Sequence, residues 1–468
     1  MFHRTLVVIF AIAFGGVVAT AQVTVVGKIM WQDRNGVPHP LRGAQIQIWD
    51  AAKGAAFGHG SVFTSEDGSY SVSIASSTAA TSLLVKVLSQ SEAASVHPDT
   101  ILQPFEFDSG IHTSVAPGST VTINLTGHAD EKSDQAFSVF EAVTYGWLYA
   151  DSLGIKMDPI DVRFPVDGIK QCNGKLSCFQ PADPSLNILE FDRWDWDVVM
   201  HEYGHYVSKR LLLDHNPGLR HYIDANLEDI YPDKSTAILL AWGEGWPTFF
   251  SVSAQQSLGL SALNIPYVGD THYTDTEDST LDVDLASQNG LASKGEDNEL
   301  SVSRILFYLV GGISTSHGAF KMSDRAMLAA LTAKQASTLS ESWEALTTGR
   351  TEDQIAAVGA IFADHLAAPT LLTPLDGGMI DGNPMSFTWR ANGGGKSHLN
   401  SKFRLLVFDD NWKSILDSGE LTTPSFVPTE DEWNKIRSAS GLHWVVTGGN
   451  PDAPSTGPYS SFATALKH

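Results

Sequence analysis

Cysteine is nearly absent: Cys172 and Cys178 are the only two among 468 residues. Two thiols cannot complete a four-ligand zinc site by themselves. In an exported chain a pair this close is most simply a disulfide closing one loop, with free thiols as the alternative. Basic residues are also scarce, and 30 Lys+Arg against 53 Asp+Glu leave a formal charge of −23. That balance argues against a nucleic-acid partner, which requires a basic footprint, and against adsorption to anionic membranes. Charge of either sign is low at 18% of residues, so the surface must lean on Ser, Thr, Asn, Gln and Gly. Beyond the first twenty residues no run is apolar enough to span a bilayer. Core material is plentiful, at 43% hydrophobic and 10% aromatic, which excludes a wholly disordered chain. The length suits about three domains.

Arg4 is the only charged residue ahead of the apolar run Leu6–Val18, and Ala19-Thr20-Ala21 follows with small residues. This is the pattern of a secretory signal peptide over residues 1–21, cleaved before Gln22. The mature chain is therefore expected to be secreted or periplasmic, with no stable membrane insertion. No Cys follows the cleavage point, so a lipid anchor is not indicated.

Three compositional zones follow. Residues 22–127 read as short strands: Gln45-Ile46-Gln47-Ile48 alternates, and Glu66-Asp67-Gly68 marks a hairpin turn. From Lys132 the period becomes helical through Ala136-Phe137, Val139-Phe140, Val143 and Trp147-Leu148. Further helices are expected at Trp196–Leu212, Pro247–Leu258, Leu300–Val310, Ser323–Ala333, Leu339–Leu346 and Glu352–His365, with Asp192 as a cap before the second. Gly127–Lys132 and Ala368–Pro374 read as linkers. After the latter, Met385, Phe387 and Trp389 alternate with polar neighbours as in a strand, and β patterning continues to the end.

Chemistry concentrates at His201-Glu202-Tyr203-Gly204-His205. Two His at i and i+4 on one helix face can reach a single metal ion. Glu202 sits where it can take a proton from water and return it to a leaving amine. Zinc is the expected ion, since imidazole plus carboxylate suits it. Gly204 leaves room for another element beside the metal, and a casual Gly inside a helix would cost about 0.5–1 kcal/mol relative to Ala. Ser208 and Leu211 stand where a metzincin would carry Gly and His, so that class is excluded. In Trp242-Gly243-Glu244-Gly245-Trp246, an acid in an aromatic setting is costly unless it binds a cation. Glu244 is thus the expected third ligand, ahead of Asp224, Asp229, Asp270 and His272. Pro247 is expected in the first turn of a helix, which puts Glu244 at or just before its start.

The two motifs together resemble a gluzincin metallopeptidase, the thermolysin-like superfamily. The resemblance covers roughly residues 131–366 and implies zinc on His201, His205 and Glu244, with Glu202 as general base. The flanks carry weaker likenesses. Gly27-Lys28-Ile29, Leu41-Arg42-Gly43-Ala44 and Thr64-Ser65-Glu66-Asp67-Gly68 resemble a carboxypeptidase-regulatory-like, prealbumin-type sandwich. Leu372-Thr373-Pro374-Leu375-Asp376-Gly377 and Phe387-Thr388-Trp389 resemble an immunoglobulin-like or fibronectin-type sandwich over 370–468. The expected fold is multidomain: a β-sandwich, a mainly helical α+β zincin domain, then another β-sandwich. The implied activity is peptide hydrolysis on a peptide or protein substrate, as an endopeptidase. An exopeptidase, or a non-catalytic adhesion protein with a degenerate site, are the rival readings.

Departures from the family are specific. The interval Tyr206–Gly243 is long and must hold an inserted loop or helix. Thr248 stands where the group has an Asp that orients a ligating His. Gly295–Ser301 has no His where the group places its oxyanion donor, which leaves Tyr273, Tyr308, Arg304 and His272 as candidates by chemistry. Asn187-Ile188-Leu189-Glu190 is expected to be an edge strand, either ordinary or pairing with substrate backbone. Asp270, Asp275, Glu277, Asp278, Asp282 and Asp284 form an acidic run, read as a solvated loop or a structural Ca2+ site.

Overall fold

The computed structural model describes residues 21–468 except 77–79, 232, 276–280, 288–294, 312–313, 316–317, 352–353, 355–356, 359–360, 363–369, 375–377, 381, 391–392, 395–397, 400–401, 412, 440, 451–452, 457–459 and 465–468. The expected signal segment, apart from Ala21, lies outside the described residues, as do Glu277, Asp278 and much of Glu352–His365. The protein mixes helices and sheets.

Two five-stranded sheets occupy the N-terminal zone. Ala21–Gln32 organises the first, antiparallel to Ser69–Ser76 with Val25 opposite Val72. Gln45–Asp50 sits between Ala55–Phe63 and Thr81–Leu88 in the second. Their period-2 patterning decides what goes inside: Val23, Val25, Ile46, Ile48, Val85 and Val87 are all fully buried.

A third sheet crosses the expected boundary at residues 127–131. Its order is Cys178–Gln180, Ser185–Asn187, Ile160–Arg163, Ala94–His97. Ala94–His97, from the N-terminal zone, runs parallel to Ile160–Arg163 with Val96 opposite Val162. One apolar core accordingly runs from Val23 to Phe362. Gly127–Lys132 is a tight turn in which Asp134 Oδ2 accepts from His128 N at 2.9 Å.

Helices of the region among the described residues include α1 (Lys132–Ser152), α2 (Gly168–Gln171), α3 (Trp196–Arg210), α4 (Lys234–Ser257), α5 (Glu299–Gly311), α6 (Asp324–Lys334) and α7 (Leu339–Thr347). A further helix, α8 (Glu430–Ser438), lies in the C-terminal zone, where the sequence pattern suggested strands alone. Its capping box pairs Thr429 with Glu432, satisfying two donors at the helix start. Around it a separate core gathers Phe387, Trp389, Phe403, Trp433 and Trp444.

Three expectations need correction. α3 starts at Trp196 as expected, but a 3-10 turn over Phe191–Trp194 precedes it, so Asp195 caps it by accepting from Val198 N, while Asp192 accepts from Ser177 Oγ at 2.6 Å. α4 starts at Lys234, thirteen residues before Pro247, capped by Asp233. Glu244 is therefore inside a helix. The local signals in Gly243, Gly245 and Pro247 all oppose helix, by about 1 kcal/mol per Gly and about 3 for Pro. Packing overrides them: a Cβ on Gly243 would meet Asn216, and one on Gly245 would meet the Glu299 carbonyl and Val302. The third correction concerns Asn187–Glu190, which is not an edge. Ile188 N donates to Arg163 O, and Leu189 N donates to Ser177 Oγ. Among the described residues, the strand at that end of the sheet is Cys178–Gln180.

Candidate metal centre

α3 and α4 pack side by side, and α4 in turn packs on α5. Gly204 of α3 faces Pro247 of α4, where an added Cβ would come within 2.9 Å of the proline Cα. This close approach brings the two motifs together. His201 and His205, one turn apart, point their Nε2 atoms to within 3.1 Å of each other. Glu244 Oε2 lies 3.2 Å from each of those nitrogens. Ligands at ~2.0–2.1 Å around a tetrahedral zinc stand about 3.3–3.4 Å apart, close to this triangle. All three side chains are buried. Asp224, Asp229 and Asp270 are exposed on the surface, and His272 sits on a hairpin bonded to Asp282.

Glu202 completes the cluster. A buried His201–Glu202–His205 group keeps one ligand atom from each residue within 4.8 Å of the others, a set able to hold a metal ion. Glu202 Oε2 accepts from Phe179 N at 2.6 Å, so the edge strand fixes the carboxylate directly. The Cys172–Cys178 disulfide, with Cα atoms 5.7 Å apart, ties the first residue of that strand to the end of α2.

Thr248 fills the orienting position. Its Oγ1 lies 3.0 Å from His201 Nδ1, so that ring N–H can donate to it while Nε2 keeps a lone pair for a metal. The inserted interval contributes two residues that sequence reasoning missed. Asn216 Nδ2 donates to Glu244 Oε1 at 2.6 Å. His221 Nε2 lies 3.6 Å from the same oxygen, while its Nδ1 is 3.0 Å from Glu299 Oε1. Glu299 was missed as well, although a carboxylate opening the apolar run of α5 was a usable signal. Nothing local marks Asn216 or His221.

Burial and mutual charge shift every group of the cluster. Burial pushes Glu202 up to about 8, against the pull of His205. Burial takes His201 down to about 4 despite Glu244. For His205 burial acts downward too, but the Glu244 and Glu202 carboxylates outweigh it and hold the ring at about 9. Burial works against the charged form of Glu244, yet His221 and His205 keep it well below the usual carboxylate range.

The oxyanion candidates part company. Tyr273 is brought to the site, its ring 5.7 Å from that of His201. Its hairpin is anchored by Thr274 N and Oγ1, both donating to the buried Asp197 at 3.0 Å. Tyr308 donates its hydroxyl to Ala286 O, and Arg304 Nη2 donates to Asp284 O. Asp270, Asp282 and Asp284 serve as acceptors within the same hairpin region.

No family model matches the chain, and no curated protein matches it. Among solved structures, a 9R-lipoxygenase from Cyanothece PCC8801 shows 14% identity over 42% of this chain and 31% of its own, with a TM-score of 0.16. The chain thus spans under a third of that protein's length, and a likeness this low carries no argument.

Proposed function

We propose that the chain is a secreted zinc-dependent peptidase of gluzincin type, acting as an endopeptidase, with its helical catalytic region flanked by two β-sandwiches. The observation that carries the reading is the convergence of His201, His205 and Glu244 on one point with Glu202 beside it. Bound zinc would polarise the scissile carbonyl and make water acidic enough to be deprotonated near neutral pH. His201, His205 and Glu244 would hold it, and Thr248 and Asn216 fix the orientation of two of those ligands. Glu202 accepts the proton of the attacking water at its carboxylate and returns it to the leaving amine. Cys178–Gln180 presents a strand edge beside Glu202, suited to backbone pairing with an extended peptide. The disulfide favours an oxidising compartment. Among the described residues no helix is long and apolar enough to cross a membrane.

The test is Glu202→Gln with zinc content and casein hydrolysis measured together. Zinc is expected to remain near one equivalent while internal cleavage of casein falls at least a thousandfold, on the order of a lost general base. Undiminished cleavage by that variant would end the proposal.

A further inference from the structure

Exposed apolar side chains gather at one place beside the site. Leu176 lies three residues before Phe179, whose N–H holds Glu202, so the two Cα atoms stand within about 11 Å of each other. Leu176 belongs to the loop closed by the Cys172–Cys178 disulfide, and Ile169 belongs to α2, which leads into it. This knuckle is packed too tightly to bury them: a Cβ on Gly168 would stand 2.6 Å from Gly174 O and 2.7 Å from Leu176 O. Backbone fills its interior, and both side chains turn outward. Two neighbouring segments are tied to it. Gln171 Nε2 donates to Asp99 Oδ2 at 2.7 Å, which brings in Ile101 and Leu102. Ser177 Oγ donates to Asp192 Oδ2 at 2.6 Å and accepts from Leu189 N at 2.9 Å, which brings in Phe191. All five apolar residues are between 41% and 77% exposed. Single exposed hydrophobics are ordinary, but a group of them marks an interaction surface.

Charge, area and position choose the occupant. Lys170 pairs with Asp167 at 3.2 Å, whereas the exposed Lys175 has no acidic partner among the described residues. A free cation amid apolar side chains fits a ligand that brings a carboxylate along with its own apolar groups. A second copy of the chain fits poorly. A stable dimer needs about 800 Å² from each partner, more than five part-exposed side chains supply. Each copy also carries a formal charge of −23, which repels its like. An extended polypeptide needs less area, because the adjoining Cys178–Gln180 edge adds main-chain hydrogen bonds.

We propose that this surface is an exosite: Ile101, Leu102, Ile169, Leu176 and Phe191, with Lys175, grip an apolar, acid-bearing stretch of the polypeptide substrate away from the metal ligands. The inference rests on the peptidase reading and adds a substrate preference to it. The exosite acts on KM for long substrates and leaves the chemical step alone.

Two surface variants, Ile169→Ser/Leu176→Ser and Phe191→Ser, and the charge reversal Lys175→Glu test it. All should keep one equivalent of zinc and the wild-type circular dichroism spectrum, since the altered side chains are exposed. With β-casein, an acidic and apolar chain, each surface variant should raise KM about tenfold at unchanged kcat. An acyl-capped tetrapeptide spanning the first casein cut reaches only about 7 Å to either side of its scissile bond. It should be cleaved with wild-type kcat/KM by every variant. Binding is read apart from cleavage on the zinc-loaded Glu202→Gln background. There β-casein should bind about tenfold more weakly after each surface substitution and severalfold more weakly after Lys175→Glu.

Casein KM and affinity within twofold of wild type in both surface variants overturn the inference. So does an equal loss of kcat on casein and on the tetrapeptide, which would make the knuckle only a support of Glu202. A wild-type dimer in sedimentation velocity that the double variant splits would assign the surface to a second copy and equally overturn it. Casein cleavage that survives Glu202→Gln would instead defeat the peptidase reading, whereas unweakened casein binding defeats this inference alone.

Discussion

Replacing Gly204 by Ala sets two effects of known sign against each other. An Ala in a helix interior gains about 0.5–1 kcal/mol over Gly from backbone entropy. The new methyl, however, would stand 2.9 Å from Pro247 Cα and 3.1 Å from Pro247 Cβ, where ordinary contact starts near 3.4 Å. Both obstacles belong to a rigid ring on a helix backbone, so α3 and α4 must separate by about 0.5 Å, and such overpacking costs about 1–3 kcal/mol. The steric term wins or at least cancels the gain. The site feels it more sharply, because α3 carries His201 and His205 while α4 carries Glu244 and Thr248. Metal sites hold ligand distances within about ±0.2 Å, less than the required separation. Gly204→Ala should therefore lower Tm by a few degrees and weaken zinc binding at least tenfold. Competitive chelator titration and a thermal melt read both. A variant more stable than wild type, with unaltered zinc affinity, would refute the reasoning.

Other outcomes follow from single contacts. Thr248→Val keeps the volume but removes the oxygen 3.0 Å from His201 Nδ1, so zinc affinity should fall about 10–100-fold by chelator competition. Glu141 is buried, accepts from Arg42 N at 2.5 Å, and is pushed up to about 8 by burial. A carboxyl with a raised folded pKa stabilises fully below its unfolded value near 4.5 and loses that contribution as pH rises to about 8. Glu141→Gln should thus match wild type near pH 4, where the Glu141 carboxyl is mostly neutral in the folded and unfolded chain alike. At pH 8 it should be more stable, by about 4 kcal/mol at most, in denaturant melts at the two pH values. A Cys172→Ser/Cys178→Ser double variant should loosen the strand whose Phe179 N–H holds Glu202, lowering kcat severalfold at constant zinc content. Wild-type kcat in that variant would show that the disulfide does not position the base.

Much of the candidate site was legible because its chemistry is local. His201, Glu202 and His205 lie within five residues, and a helix turns their side chains to one face whatever else the chain does. The alternation in Gln45–Asp50 and the apolar spacing of α1 were legible for the same reason: short-range periodicity reflects one-sided burial. Glu244 was legible as a residue but not as a position. Its flanking Gly and Pro argue against helix locally, and only the partners packed at Gly204, Gly243 and Gly245 make a continuous α4 favourable.

The sequence by itself placed His201, Glu202 and His205 on one helix face, singled out Glu244 as a companion acid, and set its only two cysteines within reach of each other. The tertiary structure alone decided that Ala94–His97 completes a sheet with Ile160–Arg163 and that Cys178–Gln180 is the edge beside Glu202. It also decided that Thr248, Asn216, His221 and Glu299 surround the ligands. These contacts join residues 23 to 78 positions apart. No periodicity spans such separations. They are fixed by which faces pack once the helices and sheets have formed.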